Sequence, residues 1–193
     1  PGVWHTEDAA SGPAPEDAGA LRALAASPDG RWIAGSRAAG EAAETEQATL
    51  TLWDAATCRR VARLEGQAGP VTALAFSADS GLLATAGTRG DVWLWSVPDG
   101  KPVLLLNDAA GRCPVEALAF HPNRRVVAVG GVDWMAPRGD GRVALWDVEA
   151  REQLAVFSGG AVGLAFHPDG RRLAAALTCH TIRTWDIADG VIT

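Results

Sequence analysis

The sequence predicts an all-β protein made of one four-stranded unit repeated four times. A tryptophan closes the same short apolar phrase at Trp53, Trp95, Trp146 and Trp185, about 40 residues apart, which is the period of a repeated supersecondary unit. Short segments that alternate apolar and small or polar residues precede each of these tryptophans at matching offsets. Clusters of Pro, Asp, Asn and Gly, the residues that turns require, separate the segments.

The elements follow in order within each unit. A first strand reads Leu21–Ala26, Val71–Phe76, Val115–Phe120 and Ala161–Phe166, with only small residues at Ala23/Ala25, Ala73/Ala75, Ala117/Ala119 and Gly163/Ala165. One face of small residues and another of Leu and Phe suits a strand crowded near an axis where several copies converge. A turn follows at Ser27-Pro28-Asp29-Gly30, Ser77-Ala78-Asp79-Ser80-Gly81, His121-Pro122-Asn123-Arg124 and His167-Pro168-Asp169-Gly170. In such turns Pro presets φ, Asp or Asn bonds back to the backbone, and Gly accepts the left-handed region. Second strands start near Trp32, Leu82, Val126 and Leu173, and third strands are Leu50–Trp53, Val92–Trp95, Val143–Trp146 and Ile182–Trp185. A tight turn then leads to an outer strand at Arg60–Leu64, Pro102–Leu106 and Gln153–Phe157, leaving only Val191-Ile192-Thr193 for the last unit.

With these elements aligned, the chain resembles the WD-repeat family of β-propellers over roughly residues 20–193. The resemblance rests on the Pro-Asp-Gly type of turn and on the endings Trp53-Asp54, Trp95-Ser96, Trp146-Asp147 and Trp185-Asp186. It implies four blades at about residues 20–66, 70–108, 114–159 and 161–193, the last one incomplete, with Trp53, Trp95, Trp146 and Trp185 as structural anchors. The Gly-His pair that opens most family repeats is missing; the matching stretches are Gly66-Gln67-Ala68-Gly69, Ala110-Gly111-Arg112-Cys113 and Gly159-Gly160-Ala161. In the family that histidine joins a buried network with Ser, Asp and the indole. Its loss predicts that each indole N–H needs another acceptor and that packing, more than polar ties, holds the blades.

Family propellers close with about seven blades, so four raise a question of closure. Three resolutions stand: the chain is part of a longer propeller, it closes a ring with a second copy or another chain, or it forms a ring of four. The absence of an initiator Met reads as a processed chain or an excised segment. Residues 1–19 form an acidic segment rich in Pro, Ala and Gly, either a linker or, through Val3-Trp4-His5, an extra outer strand for the final blade.

Composition excludes several function classes. The net charge is −6, and acids concentrate at the start, where Glu7, Asp8, Glu16, Asp17, Asp29, Glu41, Glu44 and Glu46 oppose only Arg22, Arg31 and Arg37. No basic footprint exists for nucleic acid, and no apolar run is long enough to span a membrane. Cys58, Cys113 and Cys179 lack CxxC spacing, which points to a reducing compartment such as the cytoplasm. Arg used almost to the exclusion of Lys, together with abundant Ala, has the look of GC-rich bacterial coding. His121 and His167 occupy the turn position that Ser27 and Ser77 hold elsewhere, so they read as turn residues, not catalysts. Cys113, Cys179 and His180 lack the spacing of a zinc site, and Gly130-Gly131 and Gly159-Gly160 lack the Lys-Ser/Thr of a phosphate loop. No cofactor and no catalytic residue is expected.

Two long insertions, Ser36–Ala48 and Gly131–Gly141, both join second to third strands and so emerge on one face. The second carries Asp133, Trp134, Met135, Arg138 and Asp140, a Trp and Met beside charges, which fits a protein-binding hot spot. The alternative is that Trp134 folds back as a lid over its own blade. The expected function is a non-catalytic protein-interaction scaffold, in some settings the sensory or regulatory arm of a larger chain. The rival is a structural module that completes a propeller ring with a second copy.

Overall fold

The structure is a computed structural model that describes residues 15, 20–37, 50–136, 140–188 and 191–192. Within them the chain is all β, and each unit is an antiparallel meander of four strands in sequential order. Blade 1 comprises β1 (Leu21–Ala26), β2 (Trp32–Arg37), β3 (Leu50–Asp54) and β4 (Arg60–Leu64). Blade 2 holds β5 (Val71–Phe76), β6 (Leu82–Gly87), β7 (Val92–Ser96) and β8 (Pro102–Leu106). Blade 3 holds β9 (Val115–Phe120), β10 (Val126–Val132), β11 (Gly141–Asp147) and β12 (Glu152–Ser158). Blade 4 holds β13 (Ala161–Phe166), β14 (Arg172–Leu177), β15 (Ile182–Ala188) and a two-residue outer strand, β16 (Val191–Ile192). The proposed strand addition by Val3-Trp4-His5 lies outside the described residues.

The turns form as their sequences dictate. In blade 1 the Ser27 hydroxyl donates to Asp29 Oδ1 at 2.5 Å and accepts the Trp32 N–H at 2.9 Å, while Asp29 Oδ1 accepts the Arg31 N–H at 3.0 Å. Ser77, Asp79, Gly81 and Leu82 repeat this arrangement in blade 2. Gly30 and Gly170 take left-handed φ values of 71° and 75°, and blade 2 places Ser80 there at 58°. A serine is kept at that strained position because its hydroxyl accepts the Asp29 N–H of the neighbouring blade at 3.2 Å. The first-to-second turns thus touch one another from blade to blade. Arg125 pairs with Asp79 at 3.0 Å, and His121 Nε2 meets Gly170 O at 2.9 Å.

Alternation along the strands gives each blade two apolar faces, and these meet in three inter-blade cores. Between blades 1 and 2, Leu50, Leu52 and Ala34 pack on Val71, Phe76, Leu83 and Trp95. Between blades 2 and 3, Val92, Leu94, Ala84 and Ala86 pack on Val115, Val127 and Trp146. Between blades 3 and 4, Val143, Leu145 and Ala128 pack on Ala161, Leu173, Phe166 and Trp185. Each buried Leu or Val contributes roughly 1.5–3 kcal/mol relative to exposure. The first strands β1, β5, β9 and β13 neighbour one another in series, as the Ala and Gly at their crowded faces predict. Among the described residues β1 and β13 do not pack together, so these blades form an arc and the closed ring of four is not adopted.

Of two expectations, one is met and one needs correction. Two indoles have other acceptors, as the missing histidine predicts: Trp95 Nε1 donates to Thr85 Oγ1 at 2.8 Å, and Thr85 bonds Gln67 Oε1, with Gln67 and Thr85 both buried. Glutamine, a side chain with its own acceptor oxygen, stands in the place of the family's histidine. In blade 3 the Trp146 indole instead donates to the Ala109 carbonyl at 3.2 Å. The second long insertion is shorter than its sequence bounds. β10 and β11 extend into it, with Gly131 opposite Arg142 and Val132 opposite Gly141, leaving 133–140 as the loop.

Candidate functional site

The extended β10–β11 hairpin carries the loop at 133–140 on seven cross-strand pairs, where the second-to-third ladder of blade 2 has five. Side chains at the base would prevent this closeness. A Cβ on Gly141 would lie 2.1 Å from the Gly131 carbonyl oxygen. Above the base, Asp133 shapes the turn: its Oδ1 accepts the Met135 N–H at 3.0 Å, and its carbonyl accepts the Ala136 N–H at 3.2 Å. Asp133 is therefore a loop organiser, and its carboxylate is already engaged.

Trp134 is 58% exposed and Met135 93% exposed, while the Trp134 indole N–H donates to Glu116 Oε1 at 3.0 Å. The ring is thus tethered to a strand of its own blade while more than half of the residue stays exposed. Asp140 is exposed at the foot of β11. Arg138, named with these residues from sequence, lies outside the described residues, as do Glu41, Glu44 and Glu46 of the earlier insertion. Sequence reasoning missed Glu116. It lies on β9, at the place taken by Arg22, Thr72 and Val162 in the other first strands, and a carboxylate there was the available signal.

The thiols are dispersed. Cys113 is half-buried in the β8–β9 connection, where burial and then the Asp133 carboxylate push its thiol above the usual range, with Arg142 opposing them. Cys179 is exposed on the β14–β15 turn, its thiol pulled down by the hydrogen bond to Thr181. Among the described residues no three His, Cys, Asp or Glu side chains gather as ligands of one ion. On the end formed by the first-to-second turns, a groove of about 490 Å³ lies between blades 3 and 4, bordered by His121, Arg124, Asp169 and Arg171. His121 is committed there to structure, Nδ1 accepting the Asn123 N–H at 3.0 Å and Nε2 bonding Gly170 O. Among the described residues no helix is long and apolar enough to cross a membrane.

Sheets of four strands arrayed about an axis, each anchored by a third-strand tryptophan, define a β-propeller of the repeat type. The family described as WD domain, G-beta repeat matches at residues 58–96, 100–147 and 151–186, and the chain belongs to it. Each match starts beside the outer strand of one blade and ends with the third strand of the next, so the sequence repeat straddles two blades. Among similar proteins, small ribosomal subunit protein RACK1y of Oryza sativa subsp. japonica is 28% identical over 150 residues, covering 72% of this chain and 41% of that protein. Small ribosomal subunit protein RACK1 of Caenorhabditis elegans is 25% identical over 152 residues, covering 72% and 43%. The chain thus spans less than half the length of these curated relatives. Membership of the family and these relatives fit a protein-interaction scaffold.

Proposed function

We propose that the chain is a non-catalytic scaffold that binds a protein partner through the loop at 133–140, with Trp134 and Met135 as anchors and Asp133, Arg138 and Asp140 around them. The observation that carries this is the exposure of Trp134 and Met135, 58% and 93%, on a loop braced by a long hairpin and by Glu116. The Trp134 indole, already held by Glu116, has less conformational freedom to lose on binding than an untethered ring, which favours affinity from a few desolvated side chains. The contacts among first-to-second turns support a common end for those turns and hence an opposite end for the β10–β11 connection. Partner binding, on this reading, belongs to the long-loop end, and the opposite end is structural.

The relatives are named as small ribosomal subunit proteins, so cosedimentation with ribosomes is a natural first assay. With a net charge of −6, contact there would be to protein more than to RNA. The free thiols fit a cytoplasmic, reducing setting, and a regulatory arm of a larger bacterial chain fits the Arg and Ala bias. The test uses the chain and its Trp134→Ala variant as baits, with captured proteins identified by mass spectrometry. A partner held by the chain and lost by the variant supports the reading; equal capture by both counts against the loop.

A second reading, closure of a ring with another copy, is favoured by the exposure of Ile182, at 77%, on the last blade.

A further inference from the structure

The repeat makes the two end faces of this arc comparable with the three interfaces inside it. The residue two positions before the third-strand Leu or Thr is Leu50, Val92, Val143 and Ile182 in blades 1 to 4. Leu50, Val92 and Val143 are 1%, 0% and 0% exposed because the following blade covers them; Ile182 is 77% exposed. Its face continues through Ala176, which pairs with Ile182, and Ala174, which pairs with Thr184, and Val162 on β13 is also exposed. Thr184 stands where the inner interfaces have Leu52, Leu94 and Leu145, and it is the one polar replacement among these positions.

The opposite end shows the complementary half. Within the arc a following blade presents the Leu of its first strand to the blade before it: Leu74, Leu118 and Leu164 all pack into inter-blade cores. Their counterpart in blade 1, Leu24, is 63% exposed, with Ala26 exposed beside it and Ile33 half-buried on the adjoining strand. The inner interfaces are made largely by this first strand, β5 against β2, β9 against β6 and β13 against β10 and β11. Trp53, farther from the axis on the same face, is already buried, so the open part is the axial part that inner interfaces use.

We propose that the chain pairs head to tail with a second copy, β1 of one protomer seating through Leu24 and Ile33 on the Ile182 face of β13, β14 and β15 in its partner. This rests on the second reading above and names its interface. Both halves of one interface type sit on the same molecule, so a second copy carries the complement of each. The contact is heterologous, and two four-blade arcs joined twice return on themselves as eight blades. Face-to-face pairing of two Ile182 faces would put small residues on small residues and leave Leu24 uncovered.

Light scattering on the full chain, with Leu24→Asp and Ile182→Asp variants, tests this. The expected mass is about 40 kDa, twice the 20.0 kDa chain, falling to one copy in each variant with an unchanged circular dichroism spectrum, since both side chains are exposed in the protomer. Mixing the two variants restores the two-copy species, because one supplies an intact β1 and the other an intact Ile182 face. A single-copy mass for the unmodified chain overturns both ring closure and this interface. A two-copy mass indifferent to either substitution overturns this interface and leaves self-assembly standing. Loss of pairing in the variants that mixing fails to restore overturns the head-to-tail arrangement.

Discussion

Trp95 and Thr85 are joined by a hydrogen bond of 2.8 Å from the indole N–H to the threonine hydroxyl, with both side chains fully buried. Thr85 then bonds Gln67, so a connection between blades 1 and 2 is tied to the middle strands of blade 2. Removing the middle member strands two buried polar groups. Thr85→Val keeps the shape but takes the acceptor from the indole N–H and the hydroxyl donor from the Gln67 amide oxygen, and the expected loss is about 1–3 kcal/mol in urea unfolding. Gln67→His restores a nitrogen acceptor of the family's type and should cost less than Gln67→Leu. Equal losses for the two would show that the site is held by volume alone.

His121 is buried beside the Gly170 carbonyl. Burial pushes its pKa below the usual 6.5, the Gly170 carbonyl opposes this, and Arg124 adds to it. The folded state therefore resists a proton that the unfolded chain accepts, and the stability tied to this ring is present above pH 6.5 and lost as pH falls below it. Asp29, Asp79 and Asp169 are depressed below 3.8, the first two chiefly by serine hydroxyls and the third by the Arg171 backbone N–H, so a separate loss begins below that pH. Urea midpoints should drop between about pH 7.5 and 5.5 in the chain, and His121→Ser, the residue type of Ser27 and Ser77, should remove that slope. An unchanged slope in the variant would assign it to another group.

Two tryptophans with opposite environments give a paired test. Trp134→Ala removes an exposed ring whose indole donates to Glu116, and its unfolding free energy should change by no more than about 0.5 kcal/mol. Trp95→Ala empties a buried site stacked at 5.4 Å against Trp93 and should cost about 3–5 kcal/mol. A large loss at Trp134 would make that residue part of the core and remove the basis for partner binding there.

The repeat, the turns and the strand order were legible in the sequence because each depends on local chemistry: alternation, turn residues and a period. Pairing across sequence distance was not. Gln67 could be seen to lack the family's imidazole, yet its amide reaches Thr85 only once the β4–β5 connection folds over β6. Glu116 went unnoticed within its strand, because its bond to Trp134 depends on the height of a hairpin on a different part of the blade. The arc could not be read from Ile182 alone, which resembles Val92 and Val143 in sequence and differs from them in its exposure.

Gly141 sets the position of the Trp134 loop. A Cβ there would stand 2.1 Å from the Gly131 oxygen and 2.8 Å from Gly160 Cα, both backbone atoms that cannot swing aside. Gly141→Ala must part β10 from β11 at the loop's base or push away the residues before β13, costing roughly 1–3 kcal/mol by overpacking. Gly30→Ala is the control: φ is +71° but nothing lies within 4 Å, so only left-handed backbone strain is added, about 1–2 kcal/mol. The two variants separate by function. Hydrogen exchange at 132–136 should quicken in Gly141→Ala, with partner capture reduced as in Trp134→Ala. Gly30→Ala, in a turn of blade 1, should leave both unchanged, and a parallel effect in the two variants would mean that capture follows stability instead of the loop.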